Sequence, residues 1–236
     1  MTLLVVEELA AHADLCPDCP MSLTGVLAAL IPPQVGICAF RCLSVRARAP
    51  LPMAWFEEFG LGVVRRGIVL RQRIDAHGRA TVIDAVGAGG LVPLGVAIGD
   101  DDDATMGAYA VNDVLLCAGP ADALRMAMDG DPQTPRDVLQ LHAHALHRME
   151  RLVHARARLT VIERVAAMLV ALVDCLSPLR QIDVISADLQ QVDLAALISA
   201  RQETVCRTLG SLERRGLIAR DSEGIRIPDR QRLLAV

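Results

Sequence analysis

The cysteines are the residues of this chain with the clearest capacity for chemistry. Cys16 and Cys19 form a C-x-x-C pair, and Cys38 and Cys42 form a C-x-x-x-C pair. Thiolates this close in sequence suit a soft metal ion or an iron–sulfur cluster. Alternatively, Cys38 and Cys42 are buried strand residues, because a thiol that does not react packs as a small apolar side chain. The spacing therefore predicts a thiolate-bound metal centre and leaves a metal-free reading open.

A second set of polar residues lies near the C-terminus at helical spacing. The apolar residues of segment 192–227 fit one face each of two short helices, which are joined by a turn at Ser199–Ala200 and followed by a small hairpin. The second helix is expected to start at Ser199 or Ala200. Its opposite face carries side chains that reach DNA bases or phosphates, namely Arg201, Gln202, Glu203, Cys206 and Arg207. This pattern predicts a helix-turn-helix with a wing, rather than a helical hairpin with a solvated Arg-rich face, and makes double-stranded DNA the expected partner.

The same segment resembles the winged helix of the CRP/FNR family of transcription regulators. The resemblance rests on Glu203, Arg207, the Gly216-Leu217-Ile218 step and the strand at residues 224–227. In that family a Glu-x-x-x-Arg pair reads each half of a palindromic DNA site. Cys206 stands where the FNR branch usually has Ser, so the half-site preference is expected to differ. The resemblance implies a homodimer that regulates transcription and contacts RNA polymerase.

Composition limits the other classes of protein. With 236 residues the chain is long enough for two domains, and its net charge of -4 gives no global attraction to DNA. All its basic residues are Arg. The sequence predicts neither a signal peptide nor a membrane segment, so a cytoplasmic protein with reduced cysteines is expected. An enzyme with a cupin-like domain would need a His/Glu metal triad, and His77 is the only His of the strand-rich region, so no catalytic site is predicted.

Residues 43–124 predict β-structure. Alternating residues flank a turn at His77–Gly78, residues 87–90 form a Gly-rich turn, and residues 111–117 form a strand. Several short strands with regular turns indicate a sandwich or barrel.

This region is similar to the sensory β-roll of the CRP/FNR family. Arg65-Arg66-Gly67 resembles the entry to one roll strand, and Gly89-Gly90-Leu91-Val92 resembles a Gly-rich turn of the roll. Cyclic-nucleotide members hold phosphate with a Gly-Glu pair and an Arg-Thr or Arg-Ser pair. Here those places hold Leu94-Gly95 and an acidic run at residues 100–103, which would repel phosphate. No cyclic nucleotide is therefore expected.

A long helix is predicted between the two halves, at residues 134–159. An apolar stripe along it implies a partner helix, most simply a second copy of the chain, although a core helix of the monomer is the alternative. The stripe comprises Val138, Leu141, Ala145, Met149, Leu152 and Leu159. The chain as a whole predicts an α+β protein. Its parts are a β-roll sensor domain at residues 1–130 that is similar to cyclic-nucleotide-binding domains, a dimerisation helix at 131–160, and a winged helix-turn-helix at 161–236.

The resemblance also assigns roles to the cysteines. In the FNR branch an N-terminal cysteine group and one cysteine of the roll bind a [4Fe–4S] cluster. Cys16, Cys19 and Cys117 match three of these ligands, and Cys38 or Cys42 would supply the remaining one. The implied signal is oxygen, nitric oxide or redox state. A cofactor-free thiol regulator of the same fold and a zinc-bound regulator are the alternatives.

Overall fold

A computed structural model gives the fold and describes residues 8–9, 41–93, 105–130, 132–176 and 183–236. The described part of the first half is mostly strand, with one short helix, α1 (Met53–Glu58). Its strands are β1 (Glu8–Leu9), β2 (Arg41–Val45), β3 (Phe59–Arg66), β4 (Val69–Ile74), β5 (Ala80–Val86), β6 (Leu91–Pro93), β7 (Thr105–Ala110) and β8 (Val114–Pro120). Cys16, Cys19 and Cys38 lie outside the described residues.

Two antiparallel sheets make up the predicted β-roll. One has the strand order β1-β2-β8-β3-β6 and the other the order β5-β4-β7. Side chains alternate between the two faces of a strand. Accordingly Val69 packs in the apolar interior between the sheets, whereas its neighbour Leu70 packs on the outer side of the second sheet. Both faces of the second sheet are therefore covered by apolar contacts.

The predicted hairpin at His77–Gly78 is confirmed, and it joins β4 to β5. Asp75 accepts hydrogen bonds from the backbone N–H groups of His77 and Arg79, both at 2.9 Å, and Gly78 has a φ of 75°. The strand predicted at residues 111–117 is shifted, because Asn112 lies in a turn and its side chain accepts a hydrogen bond from Ile68 N at 2.8 Å. Cys117 consequently lies in the middle of β8 rather than at its end.

The second half is mainly helical, which confirms the predicted α+β class. Its helices are α2 (Ala121–Gly130), α3 (Thr134–Arg156), α4 (Val161–Leu176), α5 (Gln191–Ile198), α6 (Gln202–Arg214) and α7 (Arg230–Leu234). A small sheet of order β10-β11-β9 completes it, with β9 (Val184–Ser186), β10 (Ala219–Arg220) and β11 (Gly224–Arg226). Among the described helices none is long and apolar enough to cross a membrane.

The predicted apolar stripe of α3 requires correction. Val138, Ala145 and Leu152 are buried within a single chain, so they cover the protomer's own body and do not line a surface for a second copy. Leu159 follows the end of α3 and is fully exposed, Met149 is half-buried, and the Leu141 side chain lies outside what is described. Two adjacent stripes of α3 carry apolar residues, and periodicity alone could not decide which one faces the core.

The other apolar stripe of α3 faces solvent. Leu139, Leu146 and Val153 are 68%, 53% and 59% exposed, respectively. They are seven residues apart, the repeat that keeps side chains on one side of a coiled-coil helix.

A buried ion cluster fastens α3 to the roll. Asp84 on β5 is fully buried and accepts two hydrogen bonds of 2.8 Å from Arg148 of α3. Arg71, the cross-strand neighbour of Asp84, contributes a longer contact of 3.4 Å. Burial lowers the pKa of Arg71, although the charge of Asp84 opposes that shift. The cluster therefore depends on one carboxylate that compensates two buried guanidinium groups.

We expect Asp84→Ala to destabilise the fold by about 3–5 kcal/mol, because it leaves Arg148 and Arg71 buried without a counter-charge. Urea unfolding followed by circular dichroism measures the loss. The matched control is Glu58→Ala, which removes an exposed ion pair with Arg41 and should change stability by about 0–1 kcal/mol. Equal losses in the two variants would show that the cluster adds nothing beyond a surface pair.

Candidate nucleic-acid interface

Helix α6 has one buried and one exposed face. Val205, Leu209 and Leu212 pack in the core, which orients the opposite side of the helix towards solvent. The five residues predicted to contact DNA are all exposed; they are Arg201, Gln202, Glu203, Cys206 and Arg207. Glu203 and Arg207 are four residues apart and hence lie one turn apart on the same face.

The turn before α6 differs in detail from the prediction. Ser199 ends α5 in the left-handed conformation, with a φ of 53°, and Ala200 N donates to Ala195 O at 3.0 Å. Arg201 is extended, with a ψ of 140°, and is the N-terminal cap of α6. The second helix thus begins at Gln202 rather than at Ser199 or Ala200. The left-handed residue is what turns the chain between the two helices.

One further residue belongs to this surface and was not predicted from the sequence. Gln191, the first residue of α5, lines an open groove together with Gln202, Glu203, Cys206 and Arg207. The start of the first helix of a helix-turn-helix typically lies near the DNA backbone. The side-chain amide of Gln191 is suited to donate to a phosphate there.

The wing, which is the hairpin of β10 and β11, is held against α6 by a side-chain hydrogen bond. Arg220 of β10 donates to Glu213 near the end of α6 at 3.0 Å. The turn of the wing is closed by Asp221, which accepts from Glu223 N at 2.8 Å. Gly224 has a φ of 140°, and a Cβ there would lie 1.9 Å from Ile185 O. Only glycine therefore allows β11 to pair with β9 at this point.

The buried carboxylate of Asp193 holds this unit against the roll. Asp193, near the start of α5, is only 2% exposed. Arg48 of the roll donates to both of its carboxylate oxygens at 2.8 Å, and the Tyr109 hydroxyl donates to one of them at 2.9 Å. Burial and the charge of Asp193 raise the pKa of Tyr109, so its hydroxyl stays protonated and remains a donor. Gln190 N is a further donor at 2.8 Å.

Two more residues, Asn112 and Arg156, join the roll, α3 and the winged helix by hydrogen bonds. Asn112 of the roll donates to Asp188 at 2.7 Å. Arg156, the last residue of α3, donates to the carbonyl groups of Val82 in β5 and Leu197 in α5. The roll, α3 and the winged helix are thereby linked by hydrogen bonds as well as by a shared apolar core.

Two of the predicted metal ligands are described, and the structure brings them together. Cys42 of β2 and Cys117 of β8 are direct cross-strand partners. The other described cysteines lie apart from them: Cys175 is buried in α4 and Cys206 is exposed on α6. Within the described ranges no group of three or more His, Cys, Asp or Glu side chains is arranged to hold a metal ion.

Comparison with known proteins gives a match for the C-terminal part of the chain. Residues 163–236 match the Crp-like helix-turn-helix domain. No curated protein matches the chain in sequence.

Several solved structures share the fold at low sequence identity. FixK2 from Bradyrhizobium japonicum has a TM-score of 0.67 and 21% identity, and the match covers 82% of this chain and 95% of that one. A CRP/FNR-family transcriptional regulator from Thermus thermophilus has a TM-score of 0.59 and 24% identity, covering 83% and 98%. A cyclic nucleotide-binding domain containing protein from Listeria monocytogenes has a TM-score of 0.68 and 15% identity, covering 87% and 97%.

The chain carries a Crp-like helix-turn-helix domain behind a β-roll, in the arrangement found in structures of CRP/FNR-family regulators.

The contact at Asp193 leads to a prediction about Arg48. We expect Arg48→Ala to destabilise the protein by about 1–3 kcal/mol, because a buried acceptor loses its charged partner. Hydrogen exchange should become faster in α5 and slow exchange should persist in the roll interior. The control is Arg79→Ala, whose partner Asp75 lies in the exposed β4–β5 hairpin. Unchanged exchange in α5 would mean that apolar packing alone fixes the winged helix.

Proposed function

We propose that this protein is a sequence-specific, DNA-binding transcription regulator of the CRP/FNR type. The observation that supports this most directly is the exposed polar face of α6 within a Crp-like helix-turn-helix domain. No catalytic step is part of the proposal. Contact with RNA polymerase is the expected route from DNA binding to transcription.

The side chains of α6 suit readout of the major groove. The Arg207 guanidinium is suited to donate two hydrogen bonds to O6 and N7 of a guanine. The Glu203 carboxylate, one turn earlier, would accept from the amino group of a cytosine or adenine on the paired strand. Arg201, Gln202 and Gln191 flank this pair and would contact phosphates or neighbouring bases, which sets the register of the helix on the duplex.

We expect Arg207→Ala to weaken binding to a specific site by about 1–3 kcal/mol and to relax the preference at one base pair of each half-site. Fluorescence anisotropy on the parent site and on all single-base variants of it measures both effects. Arg125→Ala, on the exposed surface of α2, is the control and should bind as the parent does. The readout by Arg207 is wrong if its variant keeps both the affinity and the base preference.

We further propose that two copies of the chain associate along α3. Leu139, Leu146 and Val153 form an exposed apolar row at heptad spacing, and Met149 lies beside it at half-burial. A second copy of the same row would cover these side chains, as in a two-stranded coiled coil. The two α6 helices of such a dimer would then lie in successive major grooves of the DNA, about 34 Å apart.

Leu146→Arg should convert the dimer to monomers, because it places a charge in the middle of the apolar seam. Sedimentation velocity gives the oligomeric state, and affinity for a palindromic site should fall with it. Met126→Arg introduces the same charge at an exposed apolar residue of α2 and should leave the dimer intact. A dimer that persists in Leu146→Arg would locate the seam elsewhere.

For the sensor we propose a [4Fe–4S] cluster bound by Cys16, Cys19, Cys117 and Cys42. The pairing of Cys42 with Cys117 supports Cys42 over Cys38, because the register holds two thiols of the required type side by side. A cluster at this position would supply one-electron redox chemistry and sensitivity to oxygen and nitric oxide. Strand β8 runs directly into α2, so a change at Cys117 has a short path to α3.

A cofactor-free thiol regulator is the second candidate, and the same opposed pair of thiols favours it. A zinc-bound regulator is the third, since thiolates are also zinc ligands.

Iron content separates these candidates. Anaerobically reconstituted protein should hold about four irons per chain. Cys42→Ala and Cys117→Ala should each lose the iron, whereas Cys38→Ala and Cys175→Ala should keep it. Iron retained in Cys42→Ala and lost in Cys38→Ala would reverse the ligand assignment. One zinc per chain, or no metal, would refute the [4Fe–4S] proposal.

A further inference from the structure

Cys42 and Cys117 are distant in sequence and directly opposed in the roll. Strands β2 and β8 are antiparallel, and five successive residue pairs fix their register. Opposed residues of antiparallel strands have Cα atoms about 4.5 or 5.5 Å apart. Both values fall within the range of about 4.4–6.8 Å that a disulfide requires. The register therefore brings the two thiols within bridging reach with at most a small inward movement of the strands.

Both sulfurs lie on the same side of the first sheet. Leu43 and Leu116, the neighbours of the two cysteines, pack in the roll interior. Because side chains alternate along a strand, Cys42 and Cys117 point to the other side of that sheet. They are nevertheless only 1% and 7% exposed.

A positive charge lies beside this pair. Arg65 of β3 approaches Cys42, with Nη1 at 3.9 Å from Sγ.

We propose that Cys42 and Cys117 form a reversible cross-strand disulfide when a peroxide oxidises the metal-free protein. The Cys117 sulfur, the more exposed of the two, attacks the O–O bond of hydrogen peroxide; an S–O bond forms, the O–O bond breaks and water leaves. The Cys42 sulfur then displaces the second oxygen as water, so that an S–S bond forms and the S–O bond breaks. Two thiols lose two electrons and one peroxide becomes two waters. A small dithiol reverses the oxidation by thiol–disulfide exchange.

The disulfide would join two parts of the roll that are otherwise held by hydrogen bonds. Strand β8 lies between β2 and β3 in the sheet and runs directly into α2. A covalent bond from β2 to β8 would limit movement of β8 against the sheet. It would also occupy both thiols, so the disulfide and the proposed cluster exclude one another. The disulfide does not depend on the cluster, because the metal-free protein forms it.

The test uses the full-length, metal-free protein. After treatment with hydrogen peroxide and alkylation of the remaining thiols, digestion without reductant should give one linked peptide containing Cys42 and Cys117, lighter by two hydrogens than its separate parts. The melting temperature should rise by about 5 °C or more and return with dithiothreitol, because the cross-link restricts the unfolded chain. Cys42→Ser and Cys117→Ser should each abolish both effects.

Cys175→Ser is the matched control and should behave as the parent. Cys175 is also buried, but it lies in α4 and not opposite either cysteine of the β2–β8 pair.

Recovery of Cys42 and Cys117 as separately alkylated residues would overturn the proposal, as would linkage of either one to Cys16, Cys19 or Cys38. Iron is measured in separate, anaerobically reconstituted samples. A protein that forms the linkage and binds no iron refutes only the cluster, and one that binds iron without forming the linkage refutes only the disulfide.

Discussion

The orientation of the winged helix-turn-helix against the roll depends on a buried carboxylate, that of Asp193. Removing a carboxylate from water is unfavourable unless donors replace its hydration. Arg48, Tyr109 and the backbone of Gln190 provide those donors, and the first two belong to the roll rather than to the helix-turn-helix that carries Asp193. Asp193 therefore has its full set of partners only when α5 lies against the roll. Since α6 follows α5 after the left-handed turn at Ser199, the contacts of Asp193 also set the direction in which the exposed face of α6 points.

A second buried carboxylate extends this rigidity to the proposed dimer. Asp84 and Arg148 fasten α3 to β5, and Arg156 joins the end of α3 to α5. Val138, Ala145 and Leu152 of α3 are buried within the protomer. The exposed row at Leu139, Leu146 and Val153 is therefore the one that a second copy would cover. Helix α3 thus connects the proposed dimer contact, the roll and the helix-turn-helix. A change in the roll near β8 would be transmitted along α3 to the other two.

Much of this could be predicted from sequence because it is local. The hairpin at Gly78, the two helices around Ser199 and the wing depend on turn residues and periodicity within short windows, and these predictions held apart from boundary shifts. Contacts between segments that are distant in sequence could not be predicted. Arg48 and Asp193 are 145 residues apart, and the opposition of Cys42 to Cys117 requires the register of two separated strands. Periodicity places Val138, Ala145 and Leu152 at the dimer seam, whereas all three are buried within the protomer, because two adjacent stripes of α3 are apolar.

Selection of DNA from a random pool tests the central claim most directly. The protein is incubated with random duplexes, and the bound fraction is amplified and sequenced over several rounds. The account predicts an inverted repeat whose half-site centres are about one helical turn, or roughly 10 base pairs, apart, because two copies of α6 address successive major grooves. Enrichment of a single unrepeated site, or no enrichment at all, would contradict it.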